Sequence, residues 1–171
     1  MTRVSNVADG PTELDRVWNL RRRYFELFMS DYNASIGRLD PVLVELCRIR
    51  IAQLVESEFD QSLRYRPATE AGLTEEKISA LSDYATSALF SPRERAVLEF
   101  TEQWVIQSSS ITDEDCQGLR QHISVHEFIY LTKALSVLDQ FARANSALRI
   151  APSTSTSPNL PDFTVRHLPA A

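Results

Sequence analysis

The sequence predicts an all-α, single-domain bundle of about seven helices. Three observations carry that expectation. Helix-start signals recur along the chain, apolar residues follow them at helical spacing, and no segment alternates apolar and polar residues over the length of a strand. Glycine usage agrees, because 4 glycines in 171 residues leave few positions suited to the left-handed turns of tight hairpins.

Taken in order, Thr12 with Asp15 opens a helix over 12–32, ahead of Leu14, Val17, Trp18 and Leu20. Asp40-Pro41 opens the next, over 41–55, with a side-chain acceptor before a proline whose missing N–H has no helical partner at that position. A third spans 57–70. Ala71-Gly72-Leu73 is a stop signal, and Thr74 with Glu75 and Glu76 in the first turn opens a helix over 74–83. Ser91-Pro92-Arg93-Glu94 is a capping box for 91–108, where Ala96, Val97, Phe100, Trp104 and Val105 share one face. A short polar helix over 112–120 follows. Ser124 with Glu127 caps the last, over 124–149, whose apolar face holds Phe128, Leu131, Leu135, Leu138, Ala142 and Ala147.

Residues 1–11 form an N-terminal extension, 12–150 the helical domain and 151–171 a tail. The tail opens on the low-complexity run Pro152–Pro158, which is too polar to form a core. Leu160, Phe163, Val165 and Leu168 beyond it leave two expectations, a frayed end or an arm that packs on a neighbouring subunit.

Composition excludes several function classes. Hydrophobic residues at 43% and charged residues at 24% suit a folded globular chain. A formal charge of −5 gives no basic footprint for nucleic acid or anionic lipid. Cys47 and Cys116 belong to no paired motif, so neither a disulfide framework nor a cysteine zinc site is expected. His122 and His126 straddle the Ser124 cap without a third ligand in register, and His167 lies in the tail, so no metal is expected; nor is any cofactor. The first ten residues are polar and no apolar run reaches membrane-spanning length, which points to the cytoplasm. Arg21-Arg22-Arg23 reads as a solvated or intersubunit face.

The informative stretch is 40–66. The helix over 41–55 is apolar nearly all round and is therefore expected to be buried. Glu45, Arg48 and Arg50 lie inside it and need partners. Glu45 and Arg48 are spaced i, i+3 and can meet. They form either an internal ion pair or, with Glu45 at a pocket wall, part of a site.

Four blocks of this chain resemble the carboxymuconolactone decarboxylase and alkylhydroperoxidase D-like family. They are Glu-Leu-Cys-Arg-Ile-Arg-Ile-Ala over 45–52, Ala-Gly-Leu-Thr-Glu-Glu-Lys-Ile over 71–78, the Phe90–Phe100 segment, and Leu138–Arg149. The resemblance implies an all-helical homo-oligomer: dimer, trimer or hexamer. Peroxidase members carry Cys-x-x-Cys-x-x-x-His with a glutamate twelve residues ahead. Counting from Glu45, the corresponding stretch here is Ser57-Glu58-Phe59-Asp60-Gln61-Ser62-Leu63-Arg64. Ser57 and Asp60 replace the cysteines and Arg64 the histidine. Ser57-x-x-Asp60 is also a plausible helix cap. Two expectations follow. Glu45, Ser57, Asp60 and Arg64 form an acid–base–cation site for decarboxylation or isomerisation of a small carboxylate or lactone. Alternatively, the chain is a non-catalytic ligand-binding or scaffold relative. Dithiol peroxidase activity is not expected under either.

Overall fold

The computed structural model describes residues 2–166. Among them the chain runs through α1 (Glu13–Trp18), α2 (Arg22–Ile36), α3 (Pro41–Leu54), α4 (Glu58–Gln61), β1 (Leu63–Tyr65), α5 (Arg66–Glu70), α6 (Glu75–Ser79), α7 (Pro92–Gln107), α8 (Asp113–Arg120), α9 (Val125–Leu148) and β2 (Phe163–Val165). The fold is all-α apart from the antiparallel pairing of β1 with β2, three residues on each strand. No described helix is long and apolar enough to cross a membrane.

The apolar helix α3 is the axis. Leu46, Ile49, Ile51 and Ala52 are buried on it, and it packs against both α7 and α9. Asp40 caps it by accepting from the Leu43 N–H, with Pro41 in its first turn. Capping boxes at Thr12, Ser91, Thr112 and Ser124 start α1, α7, α8 and α9. Each pairs a hydroxyl and a carboxylate with backbone N–H groups that the helix itself leaves open. The N-terminal extension serves the opposite end of α9. There the Arg3 N–H donates to the Leu148 carbonyl at 2.9 Å, one of the acceptors a helix end leaves unpaired.

The structure corrects the sequence reading at four places. The helix expected over 12–32 is broken by a 3-10 turn at Asn19–Arg21 and continues to Ile36. At Arg21 the backbone leaves helical values (φ −138°, ψ 56°), which lets Phe25, Met29 and Tyr32 of α2 face the core. The helix expected over 74–83 divides into α6 and a 3-10 turn at Leu81–Asp83.

The third correction is the helix expected over 57–70. It stops at Gln61, becomes extended over β1 and restarts at Arg66. Pro67 supplies the reason. It has no N–H to give to the Leu63 carbonyl, so a helix running through this segment would lose that bond, whereas a helix that starts at Arg66 takes the proline in its first turn at no cost. The Leu63 carbonyl accepts instead from the guanidinium of Arg48 at 2.8 Å.

The fourth is the tail, which through residue 166 packs on the chain's own core rather than fraying. β2 pairs antiparallel with β1, Leu63 opposite Val165 and Tyr65 opposite Phe163. Leu160 and Phe163 are buried in the chain's own core. Ser157 and Asn159 donate to the buried Asp15 carboxylate at 2.6 and 2.8 Å. Strands of three residues are too short to show an alternation. His167 and Leu168 lie outside the described residues.

Phe163 packs against Tyr32 and Tyr65, with ring centroids 6.3 and 5.1 Å away. Replacing it with alanine should cost about 3–5 kcal/mol, read as a lower urea midpoint with unchanged slope. An unchanged midpoint would mean that the tail does not dock in solution.

Candidate functional site

The end of α3 sets the position of the residues that follow it. Glu56 adopts a left-handed conformation (φ 55°). The Ser57 N–H then returns to the Ala52 carbonyl at 2.9 Å and the Glu56 N–H to Gln53 at 3.2 Å, the paired closure of a Schellman motif. That turn delivers Ser57 as the cap of α4, where its side chain accepts from the Asp60 N–H.

Around this turn lies a closed polar cluster. Glu45 and Arg48 are about 1% and 3% exposed. The Arg48 Nε donates to Glu45 Oε2 at 2.6 Å and its Nη2 to Oε1 at 2.8 Å, a bidentate pair. The remaining N–H groups of Arg48 reach the Asp60 carbonyl at 2.6 Å and the Leu63 carbonyl at 2.8 Å. The Tyr65 N–H donates to Glu45 Oε1 at 3.0 Å. One ion pair on α3 thus holds the whole 60–65 segment. The Phe163 ring lies 5.3 Å from the guanidinium carbon, a cation–π contact. Burial acts to lower the pKa of Arg48, but the charge and hydrogen bonds of Glu45 outweigh it and hold the pKa above its ordinary value. Burial raises the pKa of the neighbouring Tyr32 phenol.

Asp60 forms the second half of the cluster. Its Oδ2 accepts from Ser57 Oγ at 2.5 Å and from Asn145 Nδ2 at 3.1 Å. Asn145 Oδ1 accepts in turn from the Trp18 indole at 3.4 Å. Burial pushes the Asp60 carboxyl above the usual carboxylate range, and the opposing pull of Ser57, Arg48 and Asn145 does not overcome it. A groove of about 430 Å³, lined by Arg3, Glu56, Glu58, Asn145 and Arg149, runs over the outside of the cluster and meets it at Asn145.

Arg64 does not join Glu45 and Asp60. Its Nε and Nη2 bind the two oxygens of Glu75 at 2.6 and 3.0 Å, and its Nη1 donates to the carbonyls of Gln61 and Leu63. The pairing lowers the pKa of Glu75. The cause is the strand that replaced the expected helix. Successive residues of β1 point to opposite faces, so Arg64 faces away from the side taken by Leu63 and Tyr65. The cation beside the two acids is Arg48. The acid–base–cation arrangement expected of Glu45, Asp60 and Arg64 is therefore not assembled, whereas Ser57 and Asp60 do meet.

Sequence reasoning missed Asn145 and Trp18. The available signal was a polar residue in the apolar face of the last helix, since Asn145 continues the spacing of Leu138, Phe141 and Ala142. Arg50, also expected to need a partner, binds Glu102 at 2.6 Å. Cys47 is buried with its Sγ 3.3 Å from Thr101 Oγ1, and burial pushes its thiol up to about 12. It borders an apolar cavity of about 10 Å³ between α3, α7 and α9, roughly room for one water molecule. Among the described residues no three His, Cys, Asp or Glu side chains gather as a metal site.

Residues 20–103 match the model of the carboxymuconolactone decarboxylase family. A protein of unknown function from Agrobacterium tumefaciens, proposed as an antioxidant defence protein AhpD, superposes with a TM-score of 0.75 at 19% identity, covering 91% of this chain and all of that one. The chain belongs to the carboxymuconolactone decarboxylase family and has the fold of AhpD-like structures. Among its relatives is the uncharacterised protein YnjA of Escherichia coli, 31% identical over 112 residues, which are 66% of this chain and 62% of YnjA. The match thus spans less than two thirds of YnjA. The debrominase Bmp8, solved with 2,3,4-tribromopyrrole, shares the fold at a TM-score of 0.67 and 16% identity, with 81% of this chain and 75% of Bmp8 covered.

Two variants probe how this family member holds its cluster. Glu45→Ala leaves a buried guanidinium without its counter-charge and should cost about 3–5 kcal/mol in urea unfolding. A loss below about 1 kcal/mol would show that water reaches the pair. Asp60 predicts a pH dependence. In the unfolded chain it ionises near pH 4, whereas the folded carboxyl keeps its proton to higher pH. The folded state binds more protons, so the contribution of Asp60 is complete below about pH 4 and is lost as pH rises through the folded pKa. Asp60→Asn should therefore match the parent near pH 4 and exceed it in stability above neutrality. A less stable variant at high pH would show an ionised Asp60 held by Arg48.

Proposed function

We propose that this chain is a non-redox member of the carboxymuconolactone decarboxylase/AhpD-like family, a cytoplasmic ligand-binding or scaffold protein that works as a homo-oligomer. The observation that carries this reading is the closed cluster itself. At the positions where the resemblance places the two cysteines of peroxidase members, this chain has Ser57 and Asp60, buried and hydrogen-bonded to each other. Dithiol peroxide reduction needs one thiolate to attack the peroxide and a second to close a disulfide. A serine hydroxyl is a far weaker nucleophile, and neither residue can be oxidised to a disulfide. The thiol at Cys47 stays protonated, with its pKa pushed up to about 12. Arg64, at the position of the histidine, is bound to Glu75, and a guanidinium does not serve as a proton shuttle as an imidazole does.

A second reading is supported by Asp60. A carboxyl whose pKa burial has raised is better suited to donate a proton than an ordinary one, and Asn145 connects it to the groove that carries Arg3 and Arg149. Guanidinium groups bind carboxylates. The reaction class would be decarboxylation or isomerisation of a small carboxylate or lactone. The distinguishing measurement is turnover of such compounds by the parent and by Asp60→Asn. Activity that Asp60→Asn abolishes would favour the enzyme, and binding without turnover the non-catalytic reading.

Peroxide consumption with a supplied dithiol donor is expected at background level. Turnover that persists after Cys47→Ser and Cys116→Ser would refute the non-redox reading.

A further inference from the structure

The groove outside the cluster carries charges that the chain does not neutralise. Two parts of the fold line it. The N-terminal extension and the end of α9 contribute Arg3 and Arg149, and the α3–α4 turn contributes Glu56 and Glu58. All four are exposed. Among the described residues none of the four is in an ion pair. Two cations and two carboxylates therefore share about 430 Å³ without pairing with one another. Arg3 is steadied at the end of α9, where its Nη1 donates to the Ala147 carbonyl at 3.0 Å.

The backbone marks the same groove. Among the described residues the non-glycine positions with positive φ are Asn6, Glu56 and Arg149. Asparagine visits this region readily, whereas glutamate and arginine do not. Glu56 closes the turn that ends α3, and Arg149 closes an equivalent one at the end of α9. There the Ile150 N–H returns to the Asn145 carbonyl and the Arg149 N–H to the Ser146 carbonyl, both at 3.0 Å. Glycine is the usual residue at such a position, because a Cβ is strained there. The chain has instead two strained residues of opposite charge, and both line one groove. Strain of this kind collects where ligands are clamped. Asn145 adds a third feature. It is 1% exposed and its amide carries two N–H groups. One is given to Asp60; the other has no acceptor among the described residues, at a point where Asn145 borders the groove.

We propose that this groove binds a small amino-carboxylate zwitterion, with the carboxylate held by Arg3, Arg149 and the Asn145 N–H and the ammonium by Glu56 and Glu58. The proposal rests on the ligand-binding reading above and names the ligand class. A plain carboxylate would leave Glu56 and Glu58 facing a charge of their own sign, and a plain amine would do the same to the two arginines. Only a ligand with both charges is complementary to both sets. A guanidinium fork binds a carboxylate in two bonds, and the groove has the volume of an ordinary small-molecule site.

The test titrates the full chain by calorimetry with free glycine and longer ω-amino acids up to ε-aminocaproate. The carboxylate and the amine of matching chain length serve as single-charge controls. At least one zwitterion should bind about fivefold tighter than both of its controls, and the best chain length reads the distance between the two charge sets. Arg149→Gly and Glu56→Gly should each remove that preference while leaving the urea midpoint unchanged or higher, because glycine relieves the left-handed backbone. Binding of no zwitterion, a preference that survives both variants, or glycine variants with a lowered midpoint would overturn the proposal; the last would assign the two side chains to the fold. Equal binding of a zwitterion and its matching carboxylate would also overturn it, yet would leave the ligand-binding reading standing. Peroxide turnover, in contrast, would refute the non-redox reading whatever binds in the groove, so the two failures are distinguishable.

Discussion

The buried guanidinium of Arg48 is the constraint around which the rest of the molecule is arranged. A charge placed in the middle of an apolar helix is tolerated only if its counter-charge and its remaining N–H groups are all satisfied. Glu45 supplies the first, and the backbone carbonyls of Asp60 and Leu63 supply the second. Those carbonyls are available because Pro67 prevents the segment from closing as a helix. The ion pair on α3 and the extended backbone of β1 therefore depend on each other, and β1 in turn offers the edge on which β2 pairs.

This dependence extends to the chain ends. Phe163, brought in by β2, covers Arg48 and fills the space beside Tyr32 and Tyr65. Residues from the tail and the first helix meet at Asp15, and the N-terminal extension closes the end of α9. Segments that look dispensable by composition become part of the core because the polar cluster needs a dry cover. Without it, water would compete for the hydrogen bonds that hold the guanidinium in place.

The chemistry of the cluster follows from the same closure. Ser57 bonds to Asp60, Asp60 to Asn145 and Asn145 to Trp18, so the start of α4 is tied to α9 and through it to α1 rather than open to a reactant. Burial holds the Asp60 carboxyl above the usual carboxylate range because it outweighs the favourable hydrogen bonds. The result is a network in which every member has a partner, the condition under which buried polar groups specify a packing. Its opening to the outside is at Asn145, beneath the groove between Glu58 and Arg149.

The helical class, the helix starts and the burial of α3 were legible in the sequence, because caps and apolar spacing act over three or four residues. So was the pairing of Glu45 with Arg48, which one turn of helix brings together, and so was the meeting of Ser57 with Asp60. What only the tertiary structure decided were contacts between residues far apart in the chain. β1 exists because of a proline four residues after Leu63, an arginine fifteen residues before it and a strand a hundred residues later, and no local window contains all three. Arg64 turned to Glu75 because that strand reversed its side. Asn145 joined Asp60 across 85 residues. Local propensity determines where helices begin, but the identity of a buried charge's partners is set by which segments the folded chain places around it.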